Sequence, residues 1–233
     1  MRLKLIIIFL CSSIFGTEKF IGEVLKYQAG FRFFSAGEAI ISFDWDTLAG
    51  DSVYFINADI KTNSFLDRFY RIRDNIKTWI SPLNFSLKKV EKNISEGKYK
   101  KKHRAEIDYL SNIISYGHKK LNIQSFVFDP LAMIYKLRNN FNTQHFPKEI
   151  TIYDMGKIKN VLFKIEQIEK IKVPFGEFEC LIISPYSTNT KKLLKNNGQM
   201  KVWFTNDKKM IPIKIEQITN IGTMVMELKE YIP

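Results

Sequence analysis

Apolar and polar residues alternate along most of this chain with a period of two. Between Ser52 and Ile60, the residues Tyr54, Ile56, Ala58 and Ile60 fall on one side, with Asn57 and Asp59 opposite. Val161, Phe163 and Ile165 alternate with Leu162, Lys164 and Glu166, and Val202, Phe204, Ile211, Ile213 and Ile215 repeat the habit. Successive strand residues point to opposite faces, so short runs of this kind predict half-buried antiparallel strands. Turn residues separate them at Ala49-Gly50-Asp51, Ser95-Glu96-Gly97, Asp154-Met155-Gly156, Pro174-Phe175-Gly176, Asn196-Asn197-Gly198 and Asn206-Asp207. Gly and Asn tolerate positive φ and Pro pre-sets its own, so each can close a hairpin. About a dozen strands joined in this way predict one large antiparallel sheet curled into a barrel or half-barrel.

One segment breaks the alternation. In "FDPLAMIYKLRN", 128–139, Asp129 can cap a first helical turn and Pro130 suits the position after it, where no N–H is needed. Leu131, Ile134, Tyr135 and Arg138 share one helical face, and Met133, Leu137 and Phe141 form an adjoining stripe. A single helix over about 129–140 follows, ending near Asn139-Asn140. Such a helix either packs as a plug against the curved sheet or forms a lid over an internal cavity, with Arg138 at the mouth.

The N-terminus has a different layout. Arg2 and Lys4 precede the apolar run Leu5–Cys11, and small residues lead to Gly16. This predicts a secretory signal over 1–16, a mature chain from Thr17, and a periplasmic or outer-membrane-associated location. The apolar run is well short of the ~20 residues that span a bilayer, so no transmembrane helix is expected in the mature chain. Leu10 stands where a lipidation signal needs a small side chain, which argues against an acyl group on Cys11. Cys180 then remains as a thiol without an internal disulfide partner, set among Phe178 and Ile182 in an alternating, buried run. No Pro/Ser/Gly-rich linker divides 17–233, which reads as one β-rich domain.

A composition of 45% hydrophobic and 14% aromatic residues excludes a disordered chain. The formal charge of +12 drops by two, to +10, on removal of Arg2 and Lys4. That balance favours anionic partners, although many of the lysines need do no more than solvate strand faces. Export argues against nucleic acid.

Candidate chemistry is sparse. His103, His118 and His145 lie far apart, and no CxxC pair, GxSxG elbow, phosphate-binding or dinucleotide glycine pattern occurs. Asp44-Trp45-Asp46 has the form of a sugar-nucleotide metal motif but reads more simply as solvated loop acids before the turn at Leu48-Ala49-Gly50. No catalytic residue, metal or cofactor is expected. Two stretches carry another character. In 62–82, Phe65, Phe69, Tyr70 and Trp79 are interleaved with Arg68, Arg71, Arg73 and Lys77, and Asp74 is expected to pair with Arg71 or Arg73. In 97–104, "GKYKKKHR" reads as a solvated hairpin tip that discourages edge pairing.

Several runs come in a recognisable order: "GEVLKY" (22–27), "KTNSFLDRFYRIRDNIKTWISP" (61–82), "EGKY" (96–99), "DPLAMIYKLR" (129–138), "VPFGEFEC" (173–180), "VWFTND" (202–207) and "IPIKIEQITNIGTMVMEL" (211–228). Together they resemble the DUF3108 family of exported bacterial proteins, across nearly the whole mature chain. The resemblance implies a secreted, mostly antiparallel, barrel-like β protein and no particular activity. Its distinctive positions Phe65, Asp67, Phe69, Tyr70, Asp74, Tyr135 and Arg138, together with the neighbouring Arg71 and Arg73, are the candidate structural or binding residues. The expectation is a non-enzymatic envelope protein binding a hydrophobic or anionic amphiphile, or an envelope protein partner. A structural module with a packed core and a hydrolase with an unrecognised site are the alternatives.

Overall fold

A computed structural model of the chain describes residues 18–31, 34–139, 149–186, 199–219 and 222–233. The expected signal 1–16 with Cys11, the residues Asn140, Phe141 and His145, and the Asn196-Asn197-Gly198 turn lie outside these. The first half of the chain forms β1 Val24–Phe31, β2 Phe34–Leu48, β3 Asp51–Thr62, β4 Arg73–Ile80, β5 Leu87–Glu96, β6 Tyr99–Asp108, β7 Ile113–Tyr116 and β8 Lys119–Asn122. Next come β9 Val127–Phe128 and the helix α1 Pro130–Asn139. The second half forms β10 Ile150–Asp154, β11 Lys157–Val173, β12 Gly176–Tyr186, β13 Gln199–Thr205, β14 Pro212–Thr219 and β15 Gly222–Ile232.

These make one sheet in the order β8-β7-β6-β5-β4-β3-β2-β1-β15-β14-β13-β12-β11-β10-β9. Neighbours are antiparallel except β9 and β10, which are parallel. The first and last strands pair with each other in the middle of the sheet, Val24 opposite Ile232. Its edges are therefore β8 and β9, which the four residues 123–126 connect. A five-bond link of that length reaches at most ~18 Å, so the sheet has to curl until its edges approach. The result is barrel-like, without a hydrogen-bonded ladder to close it.

Side chains span the break instead. Lys92 Nζ lies 2.7 Å from Asp154 Oδ1, His103 Nε2 lies 2.9 Å from the Tyr153 hydroxyl, and Tyr109 donates to the Leu87 carbonyl at 2.8 Å while lying 3.3 Å from that of Val127. Each joins the β5–β6 region to β9 or β10. Burial and the charge of Lys92 hold His103 below the usual imidazole value.

Alternation sends Leu25, Tyr27, Ile41, Phe43, Tyr54 and Ile56 into one continuous core. The hairpin turns fall at the expected residues, with positive φ at Ala49, Gly50, Gly97, Met155 and Gly156. Cys180 is buried, and burial pushes its thiol up to about 11. Asp44-Trp45-Asp46 is not the solvated loop that was expected: these residues lie on β2 itself, where Asp46 accepts the Trp79 indole N–H at 2.7 Å.

The helix forms as expected. Asp129 Oδ1 accepts the Ala132 N–H at 2.7 Å, and its other oxygen accepts the Thr78 hydroxyl at 3.0 Å. One carboxylate thus caps the helix and ties it to β4. Burial pushes that carboxyl up, against the nearby charge of Lys92. Ala132, Met133, Ile134, Tyr135, Leu137 and Arg138 are all buried, so the helix fills the barrel rather than resting over it. Pro130 is exposed and Leu131, Lys136 and Asn139 are half-buried, so the helix keeps a narrow wet side, and Arg138 is not on it.

Candidate functional site

Two separate places hold the residues singled out by sequence. The first is the end of α1. Glu23, just before β1, accepts both terminal nitrogens of Arg138 at 2.5 and 2.6 Å. Each residue is 2% exposed. Arg138 also donates to the Lys209 carbonyl at 3.4 Å, and its guanidinium stacks 4.5 Å from the centre of the Phe20 ring. Burial opposes its charge, yet the two bonds from Glu23 outweigh this and hold Arg138 above its usual value. The helix C-terminus is closed by Lys19, whose Nζ donates to the Arg138 carbonyl at 2.9 Å, a cation where the helix dipole favours one. Tyr135 packs 4.6 Å from Phe43 and 5.3 Å from Phe20. Its buried hydroxyl is raised well above the ordinary phenol value by burial and by the charge of Glu23, although no acceptor meets it in ordinary hydrogen-bond geometry.

Arg138 therefore lies at one end of the barrel but is buried, and the expectation that it opens onto a ligand site there is not met. Its charge is already answered by a carboxylate inside the protein, and no ligand reaches it without breaking that pair.

The second place is the loop between β3 and β4. Asn63 organises it: its side-chain oxygen accepts the Leu66 N–H at 2.9 Å and its carbonyl accepts the Asp67 N–H at 3.0 Å, starting the short 3-10 turn Leu66–Arg68. Asp67 then binds the Thr62 hydroxyl and the Arg73 guanidinium, and these bonds, Arg73 first, hold its carboxyl below the usual range. Asp74, expected to pair with Arg71 or Arg73, instead faces the barrel side and accepts the Ser95 N–H at 2.8 Å. Adjacent strand residues point to opposite faces, so Arg73 and Asp74 cannot meet.

While Asp67 and Arg73 hold each other, the aromatics of this loop turn outward. Phe65 is 61% exposed, Phe69 74% and Tyr70 50%, with the two Phe rings edge-to-face at 5.6 Å. Tyr70 lies over the turn that joins β5 to β6. Gly97 there has φ of +57°, and a Cβ on it would stand 2.7 Å from the Tyr70 ring. The Gly97 N–H donates to the Arg71 carbonyl at 2.8 Å, locking the loop to the hairpin. Arg68, Arg71, Lys98, Tyr99, Lys100, Lys101 and Lys102 are exposed around it. Behind them lies an open groove of about 230 Å³, lined by Arg73, Asn93, Lys100, Lys101 and Lys102 among others.

The candidates thus divide. Tyr135 and Arg138 sit with Phe43, the neighbour of Tyr54 near the start of β3, whereas Phe65, Asp67, Phe69, Tyr70, Arg71, Arg73 and Asp74 follow its last residue, Thr62. Eight strand residues separate those levels, roughly 26 Å at the usual strand rise. Sequence reasoning missed Glu23, Lys19, Lys92 and Asp154, whose partners are remote in the chain. The basic run 98–102 was visible, but not its place beside the aromatic loop. Among the described residues, no group of three His, Cys, Asp or Glu is placed to hold a metal, and no helix is long and apolar enough to cross a membrane.

Comparison with solved structures finds one that shares this fold and others that are less similar. A β-barrel-like protein of the domain of unknown function DUF1849 from Brucella abortus has TM-score 0.61 at 9% identity, over 91% of this chain and 97% of its own. A protein from Bacteroides fragilis, described as exported with a YmcC-like fold, gives TM-score 0.37 at 10% identity, over 91% and 96%. A protein from Parabacteroides distasonis, described as a lipoprotein, gives 0.34 at 16%, over 91% and 95%. A search of curated proteins finds no match. The sequence profile of the proteins of unknown function DUF3108 matches residues 26–229, and the chain belongs to that family.

Proposed function

We propose that this chain is an exported, non-enzymatic module of the bacterial envelope, one domain from Thr17 onward, that binds an anionic amphiphile with its outer surface. The observation that carries the reading is the loop Asn63–Ile72: three exposed aromatic rings on a segment braced by its own hydrogen bonds and set among cations. Large apolar side chains gathered on a braced segment mark a contact surface better than scattered exposed ones do. The filled interior supports an outer site, since α1 occupies the space that an internal ligand would need. Export rests on the basic-then-apolar layout of 1–16.

Titration of the protein from Thr17 with monomeric lysophosphatidylglycerol, followed by NMR, tests this. Saturable shifts at 63–72 and 97–102, weaker with zwitterionic lysophosphatidylcholine, are expected. Absence of saturable binding to either amphiphile would contradict the reading.

A further inference from the structure

We infer that the end of the barrel formed by 63–72 and 96–102 docks onto the surface of an anionic phospholipid bilayer, with Phe65 and Phe69 entering the boundary between headgroups and acyl chains. This rests on the outer-surface reading above and gives it a partner. The loop bearing Phe65 and Phe69 is held by its own bonds: Asp67 reaches back to Thr62 and Arg73, while the two rings are exposed to solvent. Tyr70 and Tyr99, 50% and 49% exposed, flank them with phenols, the side chains that combine an apolar body with a polar tip at a membrane interface.

Charge adds direction. Within 63–74 and 95–102 there are seven cations, Arg68, Arg71, Arg73, Lys98, Lys100, Lys101 and Lys102, against the three acids Asp67, Asp74 and Glu96. Asp67 is engaged by Arg73, and Asp74 faces inward to Ser95. The cations on β6 line the groove beside the aromatic loop, where a phosphate could sit while the rings go deeper. Basic clusters next to apolar anchors bind anionic leaflets in this way.

A protein partner fits less well. β4 and β5 are both paired on each side, so this end offers no free strand edge for another chain to extend. Two Phe and two Tyr rings are also little apolar surface for an interface that typically buries about 800 Å² per partner. They suit an anchor that enters only ~5–10 Å of the interface. The loop already has its bound shape through Asn63, Asp67 and Gly97, so docking orders little chain.

The test is flotation of the protein from Thr17 with phosphatidylcholine vesicles, with and without phosphatidylglycerol. The wild type should float with phosphatidylglycerol vesicles and much less with phosphatidylcholine alone. Phe65→Ser with Phe69→Ser should weaken this by roughly tenfold or more, as expected for losing buried aromatic surface. Replacing Lys98, Lys100 and Lys102 by Gln should cost about fivefold for each cation that lies near the surface. Phe69→Trp should shift its emission to the blue on phosphatidylglycerol vesicles, relative to the wild-type background.

Wild type that fails to float while still binding monomeric lysophosphatidylglycerol would overturn bilayer docking and leave the amphiphile reading standing. Failure with both would remove the two together. Flotation unchanged by the double Phe substitution, with displacement by a soluble sulfated polysaccharide, would identify a polyanion site and overturn the insertion of the rings. All the substituted positions are exposed, so unchanged unfolding midpoints separate lost docking from lost fold.

Discussion

At one end of the barrel Arg138 grips Glu23 with both guanidinium nitrogens, and both residues are sealed from water. At the other, Arg73 holds Asp67 on a loop whose neighbours face solvent, with its own side chain 36% exposed. The chemistry of the two pairs is alike, and their surroundings differ. Inside, water is absent, so each charge depends on the other and the pair fixes where α1 ends. Outside, water screens both charges, and what the bond achieves is local: it bends Asp67 back and leaves Phe65 and Phe69 outside. The comparison separates a cluster that holds the fold from one that presents a surface.

Removing one member of the inner pair should give the largest effect. Arg138→Ala should destabilise the protein by about 3–5 kcal/mol in denaturant unfolding, because Glu23 would be left charged and buried. Replacing both, Glu23→Leu with Arg138→Met, should cost less than the sum of the singles. Strict additivity would mean that the two do not act as a pair.

Ile134→Ala, on the same buried helix, should cost about 2–5 kcal/mol as core truncations do. Asp129→Ala should cost about 0.5–2 kcal/mol from the lost cap alone. The released Thr78 hydroxyl should place it toward the upper end. Thermal unfolding followed by circular dichroism checks both.

Arg73→Gln sharpens the contrast. The unfolding midpoint should hardly move, while amide exchange at Leu66, Asp67 and Tyr70 should speed up as the loop loosens. A midpoint shift as large as that of Arg138→Ala would make the two pairs equivalent and remove the distinction.

A similarly small effect on stability belongs to Glu166, which meets Lys201 at 2.8 Å on the outside of the sheet. The hydrogen bond from Lys201, against a small burial cost, lowers its carboxyl to about 2. A depressed carboxyl contributes stability above its unfolded value of about 4.3, lost as pH falls through its folded value. Glu166→Gln should therefore remove about 0.2–1 kcal/mol, the range of a solvent-screened pair, at neutral pH. The difference from wild type should close as pH falls from about 4 toward 2.

Local chemistry made much of the fold legible. Tyr54, Ile56 and Ala58 alternate because β3 has one buried face, and the turns at Ala49-Gly50 and Met155-Gly156 needed residues that accept positive φ. Asp129-Pro130 marked the helix because capping acts within one turn. The burial of Arg138 was not legible because its partner Glu23 lies 115 residues away. Asp74 was misassigned because nearness along the chain is not nearness in a strand. Asp44 and Asp46 read as loop acids from the nearby turn alone, whereas β2 runs fifteen residues, right up to that turn. In the outer cluster the residues were legible, but not their union: only the register of β4 with β5 brings Gly97 under Tyr70 and the lysines of β6 beside Arg73.

Hydrogen–deuterium exchange of the protein with and without phosphatidylglycerol vesicles compares the two regions in a single measurement. The account predicts new protection over 64–72 and 97–102, with 130–139 slow to exchange and unchanged in both conditions. Protection or release concentrated in 130–139, with no change in the outer loop, would contradict it and return the helix to the role of a lid.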